Sequence, residues 1–201
     1  MNAMNRWAMF AGCTAAMALA GCASTPAPVL LTLPPAATQM APRAATAAAP
    51  RVLVVRRLDA PEYLLVRRVR YRADDSTLAE WPDTYWAERI EIGMSREFAA
   101  ALRQRLPDWR LCEANCAEQS PVLSLHVELT RMDYVRSERR LKADVRLALS
   151  DAGRPLRPVR PEERSYAIDG DGDTPQSQAR AMTELMRRVA ADAALAVAAA
   201  P

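Results

Sequence analysis

Leu123-Ser124-Leu125-His126-Val127-Glu128-Leu129-Thr130 and, further on, Leu141-Lys142-Ala143-Asp144-Val145-Arg146-Leu147-Ala148-Leu149 are the two stretches that decide the fold. In the first, Leu123, Leu125, Val127 and Leu129 share one parity while Ser124, His126, Glu128 and Thr130 take the other, and the alternation extends from Val122 to Met132. The second repeats it, with Leu141, Ala143, Val145, Leu147 and Leu149 set against Lys142, Asp144 and Arg146. Successive side chains of a strand point to opposite faces, so each stretch reads as a strand with one buried and one wet face. Joined through Arg136 to Arg140 they make an antiparallel hairpin, and its apolar face needs a second layer to cover it.

Helices on either side supply that layer. Toward the C-terminus, Asp151-Ala152-Gly153 makes a turn and a weaker strand runs from about Val159 to Ile168. Pro158 and Pro161 push this strand to an edge, where a missing backbone donor is tolerated. Thr174-Pro175 then opens a final helix, threonine as cap and proline at the first helical position, with Met182, Leu185, Met186, Val189 and Ala193 as its apolar stripe. On the other side of the hairpin, Asp83 is placed to cap a helix starting at Thr84. Trp86, Ile90, Met94, Phe98, Ala101, Leu102 and Leu106 recur there at helical spacing, and Pro107 ends the run. Gly93 inside this pattern costs about 1 kcal/mol relative to alanine and signals either a kink or a later helix start.

Earlier still, Tyr63 to Tyr71 reads as a half-exposed strand with Arg68, Arg70 and Arg72 on one parity, and Val52-Leu53-Val54-Val55 as a central strand. Val29-Leu30-Leu31-Thr32-Leu33, between Pro28 and Pro34, reads as a first strand followed by an alanine- and proline-rich loop over 36–50. The order β-β-β-α-β-β-β-α predicts an α+β two-layer sandwich, a largely antiparallel sheet with two helices on one face.

No catalytic constellation accompanies this pattern, and no cofactor or metal is expected. Asp169-Gly170-Asp171-Gly172-Asp173 imitates the start of a calcium loop, but Thr174 replaces its glycine and Arg180 its closing glutamate, so a solvated turn is the expectation. His126, the single histidine, sits on the polar parity of its strand and reads as a surface residue. Trp81, Tyr85, Trp86 and Trp109 cluster in sequence around the first helix, either as core packing or as the lining of a lipid groove. Cys112 and Cys116 lie four residues apart and are expected to form a disulfide in an oxidising compartment; zinc lacks further cysteine or histidine ligands.

The N-terminus names that compartment. Residues Trp7 to Ala20 form a short apolar run preceded by Arg6 and closed by Leu19-Ala20-Gly21-Cys22, which reads as the lipobox of a bacterial lipoprotein. Residues 1–21 would be a signal peptide, Cys22 the acylated first residue, 22–27 a short tether and 28–198 the folded domain. Ala23, rather than aspartate, directs the expectation to the periplasmic face of the outer membrane. Removing the signal takes Arg6 and no acidic residue, lowering 27 basic residues to 26 against 24 acidic, a balance that points away from nucleic acid.

Several motifs together resemble one family. Besides the lipobox they are the Val29 to Pro34 stretch, Pro61-Glu62-Tyr63-Leu64, Tyr85-Trp86-Ala87, the Ser150-Asp151-Ala152-Gly153 turn and the terminal amphipathic helix. In that order they resemble the ABC-type transport auxiliary lipoproteins, the group that includes the PqiC-like lipoproteins of MCE transport systems. The resemblance implies a non-enzymatic component of a lipid-moving system, with an MCE-domain periplasmic protein as partner. An inner-membrane ABC permease and ATPase would act through that partner, membrane lipids would hold the acyl anchor, and self-assembly into a homo-oligomer stays open. An assembly or secretion-system lipoprotein is the competing reading. Two surfaces are candidates for partner contact: Arg67, Arg68, Arg70 and Arg72 on one strand, or the edge strand bearing Arg164, Tyr166 and Ile168.

Overall fold

The computed structural model describes residues 27–36, 50–152 and 161–200. Their elements follow one another as β1 (Val29–Leu31), β2 (Arg51–Val55), β3 (Arg68–Arg72), β4 (Leu78–Trp86), α1 (Ile90–Arg105), β5 (Trp109–Cys112), β6 (Leu123–Val135), β7 (Arg140–Asp151), β8 (Glu162–Asp169) and α2 (Pro175–Ala198). Cys22, the 1–21 signal, the 37–49 part of the expected loop, Gly153, Pro158 and Val159 lie outside the described residues.

The hairpin is the spine of the sheet. β6 and β7 pair antiparallel from Leu123 opposite Asp151 to Val135 opposite Arg140, and Arg139 closes the turn with a left-handed backbone, φ 50°. One irregularity separates the Leu129–Val145 pair from the Arg131–Asp144 pair. The extra residue on β6 reverses its parity: Leu123, Leu125, Val127 and Leu129 are buried before it, and Met132 and Tyr134 after it. The same core face of β7, Leu141 to Leu149, is thereby covered along its length.

The edge of β6 away from β7 is shared. Near its start, Leu53 and Val55 of β2 pair in parallel with Leu123 and Leu125, and near its end Arg72 of β3 pairs in parallel with Val135. Between them the chain leaves the edge after Asp59, which bridges Glu128, and makes a short 3₁₀ turn over Glu62–Leu64. Here the expectation of a strand from Tyr63 is corrected. The Tyr63 hydroxyl takes the place of a strand, donating to the Met132 carbonyl at 3.2 Å and accepting from the Met132 amide at 3.0 Å. Both backbone groups are thus satisfied without a ladder, and burial pushes this phenol's pKa upward.

The sheet is mixed, and its longest ladders are antiparallel as expected. β1 joins β4, β2 joins β5, and β6 joins both β2 and β3, all in parallel, whereas β3–β4, β6–β7 and β7–β8 are antiparallel. Strands β4 and β5 are additions to the expected order. Trp86 fits the helical stripe of Ile90, Met94 and Phe98 by coincidence of spacing, but it ends β4, and Asp83 caps nothing. Asp83 instead takes a left-handed backbone, φ 44°, inside that strand. The helix starts at Ile90, the later of the two readings, with Arg89 at its cap. Gly93 admits Leu33: a Cβ there would meet Leu33 Cδ1 at 3.6 Å and Glu88 Oε1 at 3.3 Å.

α2 forms as its sequence dictates, Thr174 Oγ1 accepting from the Ser177 amide with Pro175 following. It packs beside α1 and over β7, burying Met182, Leu185, Met186 and Val189. The class is therefore α+β: two helices over one eight-stranded sheet. After β1 the chain continues against the helices, where Thr183 Oγ1 donates to the Pro34 carbonyl at 3.0 Å. The Ala36 amide there donates to the buried Glu97 carboxylate at 2.8 Å.

Candidate functional site

The two candidate contact surfaces lie apart, β3 and β8 being separated in the sheet by β6 and β7. On β3 the arginines expected to form a basic face are largely consumed within the chain. Arg68 and Arg70 both reach Glu80 of β4, at 3.3 and 3.2 Å, and Arg72 holds Asp133 at 2.7 Å with the Asp133 side chain only 8% exposed. Arg67 is exposed, and its carbonyl accepts from the Trp86 amide.

On β8 the side chains also turn inward. Ile168 belongs to the core, and the Tyr166 hydroxyl donates to Asp192 of α2 at 2.6 Å. Burial, reinforced by that carboxylate, pushes the Tyr166 phenol far above its ordinary range. Arg164 pairs with Glu162. What β8 offers is backbone: among the described residues it pairs only with β7, and Glu162 to Ser165 along it are exposed.

The wet face of β6–β7–β8 is a lattice of opposite charges. Arg146 contacts Glu128 and Glu163, Arg131 contacts Asp144, and Asp144 also accepts from Ser165. His126 Nε2 lies 2.8 Å from Asp59 Oδ2 on the same face. The acidic turn dissolves into separate pairs: Asp169 with Arg140, Asp171 with Arg180 and Asp173 with Arg136. Its carboxylates diverge onto three arginines instead of converging on an ion, and no group of three potential metal ligands occurs among the described residues.

The bond from Arg180, with help from Ser177, holds the Asp171 carboxyl down to about 2 against 3.8 unperturbed. A depressed folded-state pKa contributes stability above the unfolded value that is lost as pH falls through the folded one. Thermal melts should therefore show a loss between about pH 4 and pH 2, and Asp171→Asn should lessen that loss.

Sequence reasoning missed Arg136, which gathers more contacts than any candidate named above. Its guanidinium lies over Trp81 at 4.4 Å and Tyr71 at 4.9 Å, bonds the Tyr71 hydroxyl at 2.9 Å, and pairs with Asp173 at 2.8 Å. Trp81 in turn donates its indole N–H to Gln178 of α2, which donates to the Arg70 carbonyl, both at 2.7 Å. The network ties β3, β4, the hairpin turn and α2 together. The turn carries three arginines, Arg136, Arg139 and Arg140, and nothing in the sequence sets Arg136 apart from the other two. Nor do the four aromatics line one groove: Trp81 and Trp86 are core, Tyr85 lies under Arg68, and Trp109 lies under Arg51.

The cavity beneath β3, bounded by Tyr63, Arg72, Asp133 and Gln178 among others, holds about 20 Å³. That is room for one water and far too little for an acyl chain. No helix among the described residues is long and apolar enough to cross a membrane.

Cys112 and Cys116 are joined, their Cα atoms 5.7 Å apart, at the end of β5. So short a loop limits the chain-entropy gain, and Cys112→Ser with Cys116→Ser should lower stability in denaturant titration by about 2 kcal/mol. A loss above about 4 kcal/mol would show that the bridge does more than close the loop.

The fold recurs in solved structures, among them the following two. One, from a crystal structure of an uncharacterised protein, matches with TM-score 0.68 at 16% identity over 86% of this chain and 99% of that one. The second, protein XCC0632 from Xanthomonas campestris, matches with TM-score 0.59 at 13% identity over 83% and 91%. No curated protein sequence matches significantly. The profile described as "ABC-type transport auxiliary lipoprotein component" matches residues 31–194, nearly the whole described domain from the end of β1 into the last turns of α2, and the chain belongs to that family.

Proposed function

We propose that the protein is a non-enzymatic lipoprotein of the outer membrane, held on the periplasmic face by acylated Cys22, that assists an ABC-energised system in moving lipids between the two membranes. The observation that carries this reading is the family match over residues 31–194, downstream of a lipobox at Leu19 to Cys22.

The partner we assign is an MCE-domain periplasmic protein, through which the chain would serve an inner-membrane ABC permease and ATPase. The outer edge of β8 is the favoured contact. Its backbone groups, unpaired on the outer side among the described residues, can extend the sheet into a partner strand, whereas Arg68 and Arg70 share Glu80 and Arg72 holds Asp133. Deleting the gene should sensitise cells to detergents and shift outer-membrane lipid composition, and the intact gene, but not one carrying Cys22→Ala, should restore both. Unchanged lipid composition alongside an assembly or secretion defect would replace this reading with that of a scaffold lipoprotein.

A further inference from the structure

The corner of the sheet that follows the lipobox most closely in sequence carries an exposed apolar side chain beside arginines. Leu30 of β1 pairs with Tyr85 of β4, and Tyr85 pairs with Arg68 of β3. Residues paired across strands present their side chains on one face, so Leu30, Tyr85 and Arg68 form a row there. Trp86 and Leu31, of opposite parity, are buried on the helix side. Leu30 is 58% exposed, on a strand that has no outer neighbour among the described residues. The Arg68 guanidinium lies 5.0 Å from the Tyr85 ring centre, and Arg67 beside it is exposed. Arg67, Arg68 and Arg70 outnumber Glu80, the carboxylate that Arg68 and Arg70 share.

An exposed leucine, a tyrosine and arginines in sequence across a surface match the layers of a bilayer interface. The apolar side chain enters the boundary of the acyl region, the phenol sits among the headgroups, and guanidinium groups bind phosphate. The chain length agrees. Cys22 lies seven residues before Val29, so even a fully extended tether keeps β1 within about 25 Å of the acylated terminus.

We propose that this corner, the outer face of β1 with the adjoining ends of β4 and β3, docks onto the leaflet that carries the acyl chains of Cys22 and fixes the orientation of the domain on the membrane. The inference rests on the acylation of Cys22 assigned above. In this orientation β8, at the far side of the sheet, is turned away from the bilayer and toward the periplasm.

The test uses the full mature, acylated chain carrying Leu30→Trp, reconstituted into vesicles of phosphatidylethanolamine and phosphatidylglycerol containing a brominated phosphatidylcholine. Quenching should exceed that of the unsubstituted chain at least twofold, because Trp81 and Trp86 are buried and the partly buried Trp109 lies under Arg51 on β5, away from β1. Adding Arg67→Glu and Arg68→Glu should cut the extra quenching by half or more while the protein still floats with the vesicles. Flotation with no extra quenching at position 30 would overturn the docking and leave the anchor intact. Failure to float, with no acyl label on Cys22, would overturn both.

Discussion

Cys22→Ala is expected to abolish incorporation of radioactive palmitate and to leave an unprocessed precursor. In the processing proposed for the lipobox the thiol would accept the diacylglyceryl group and the amine freed by cleavage would take the third chain, so no other residue of the lipobox could substitute. At roughly 0.8 kcal/mol per buried methylene, a single acyl chain binds only marginally and additional chains make the attachment stable. The effect should therefore be all or none. A variant that is still labelled and still processed would remove the basis for placing the chain in the lipoprotein class.

The second large effect is expected in the fold. β1, β3 and β4 join the rest of the sheet through one ladder position, Arg72 opposite Val135. The seam depends on side chains: Tyr63 on Met132, Gln178 on the Arg70 carbonyl, and Arg72 on Asp133, whose Oδ1 accepts from Nε at 3.2 Å and from Nη2 at 2.7 Å. The Arg72 side chain is 20% exposed and that of Asp133 8%. Asp133→Ala would leave a guanidinium mostly out of water with no counter-charge, at a cost of about 3 to 5 kcal/mol. Removing both charges as Arg72→Met with Asp133→Leu should recover most of that loss, because a buried pair is worth little against well-packed apolar groups. Urea denaturation of the two variants measures both quantities. A cost below about 1 kcal/mol for Asp133→Ala would mean that the pair does not seat β3 on β6.

The hairpin and α2 were legible because each carries its own local signal: period-two alternation in β6 and β7, and a cap, a proline and a regular stripe in α2. β4 was not, since Trp86 continues the spacing of Ile90, Met94 and Phe98, and only Ala87, Glu88 and Arg89 separate the two elements. β5 is four residues long and gains its pairing from β2, a partner far away in sequence. Parallel pairing of β2 and β3 with β6 is likewise set by the tertiary fold, not by composition. Among the site residues, sequence parity places Arg68, Arg70 and Arg72 on one face but says nothing of Glu80 and Asp133, which come from other strands to meet them. Arg136 escaped for the same reason, its partners Tyr71, Trp81 and Asp173 lying on three separate segments.

A binding component of a lipid-transport system that works through the β8 edge should meet its partner there. Ala167 is exposed on β8 and opposite Lys142 of β7, so a photo-crosslinking amino acid there reports the neighbour of that edge without entering the core. Irradiation of intact cell envelopes followed by mass spectrometry of the adduct should recover an MCE-domain protein. Recovery instead of a secretion-channel subunit or of peptidoglycan, with no MCE-domain adduct, would contradict the account.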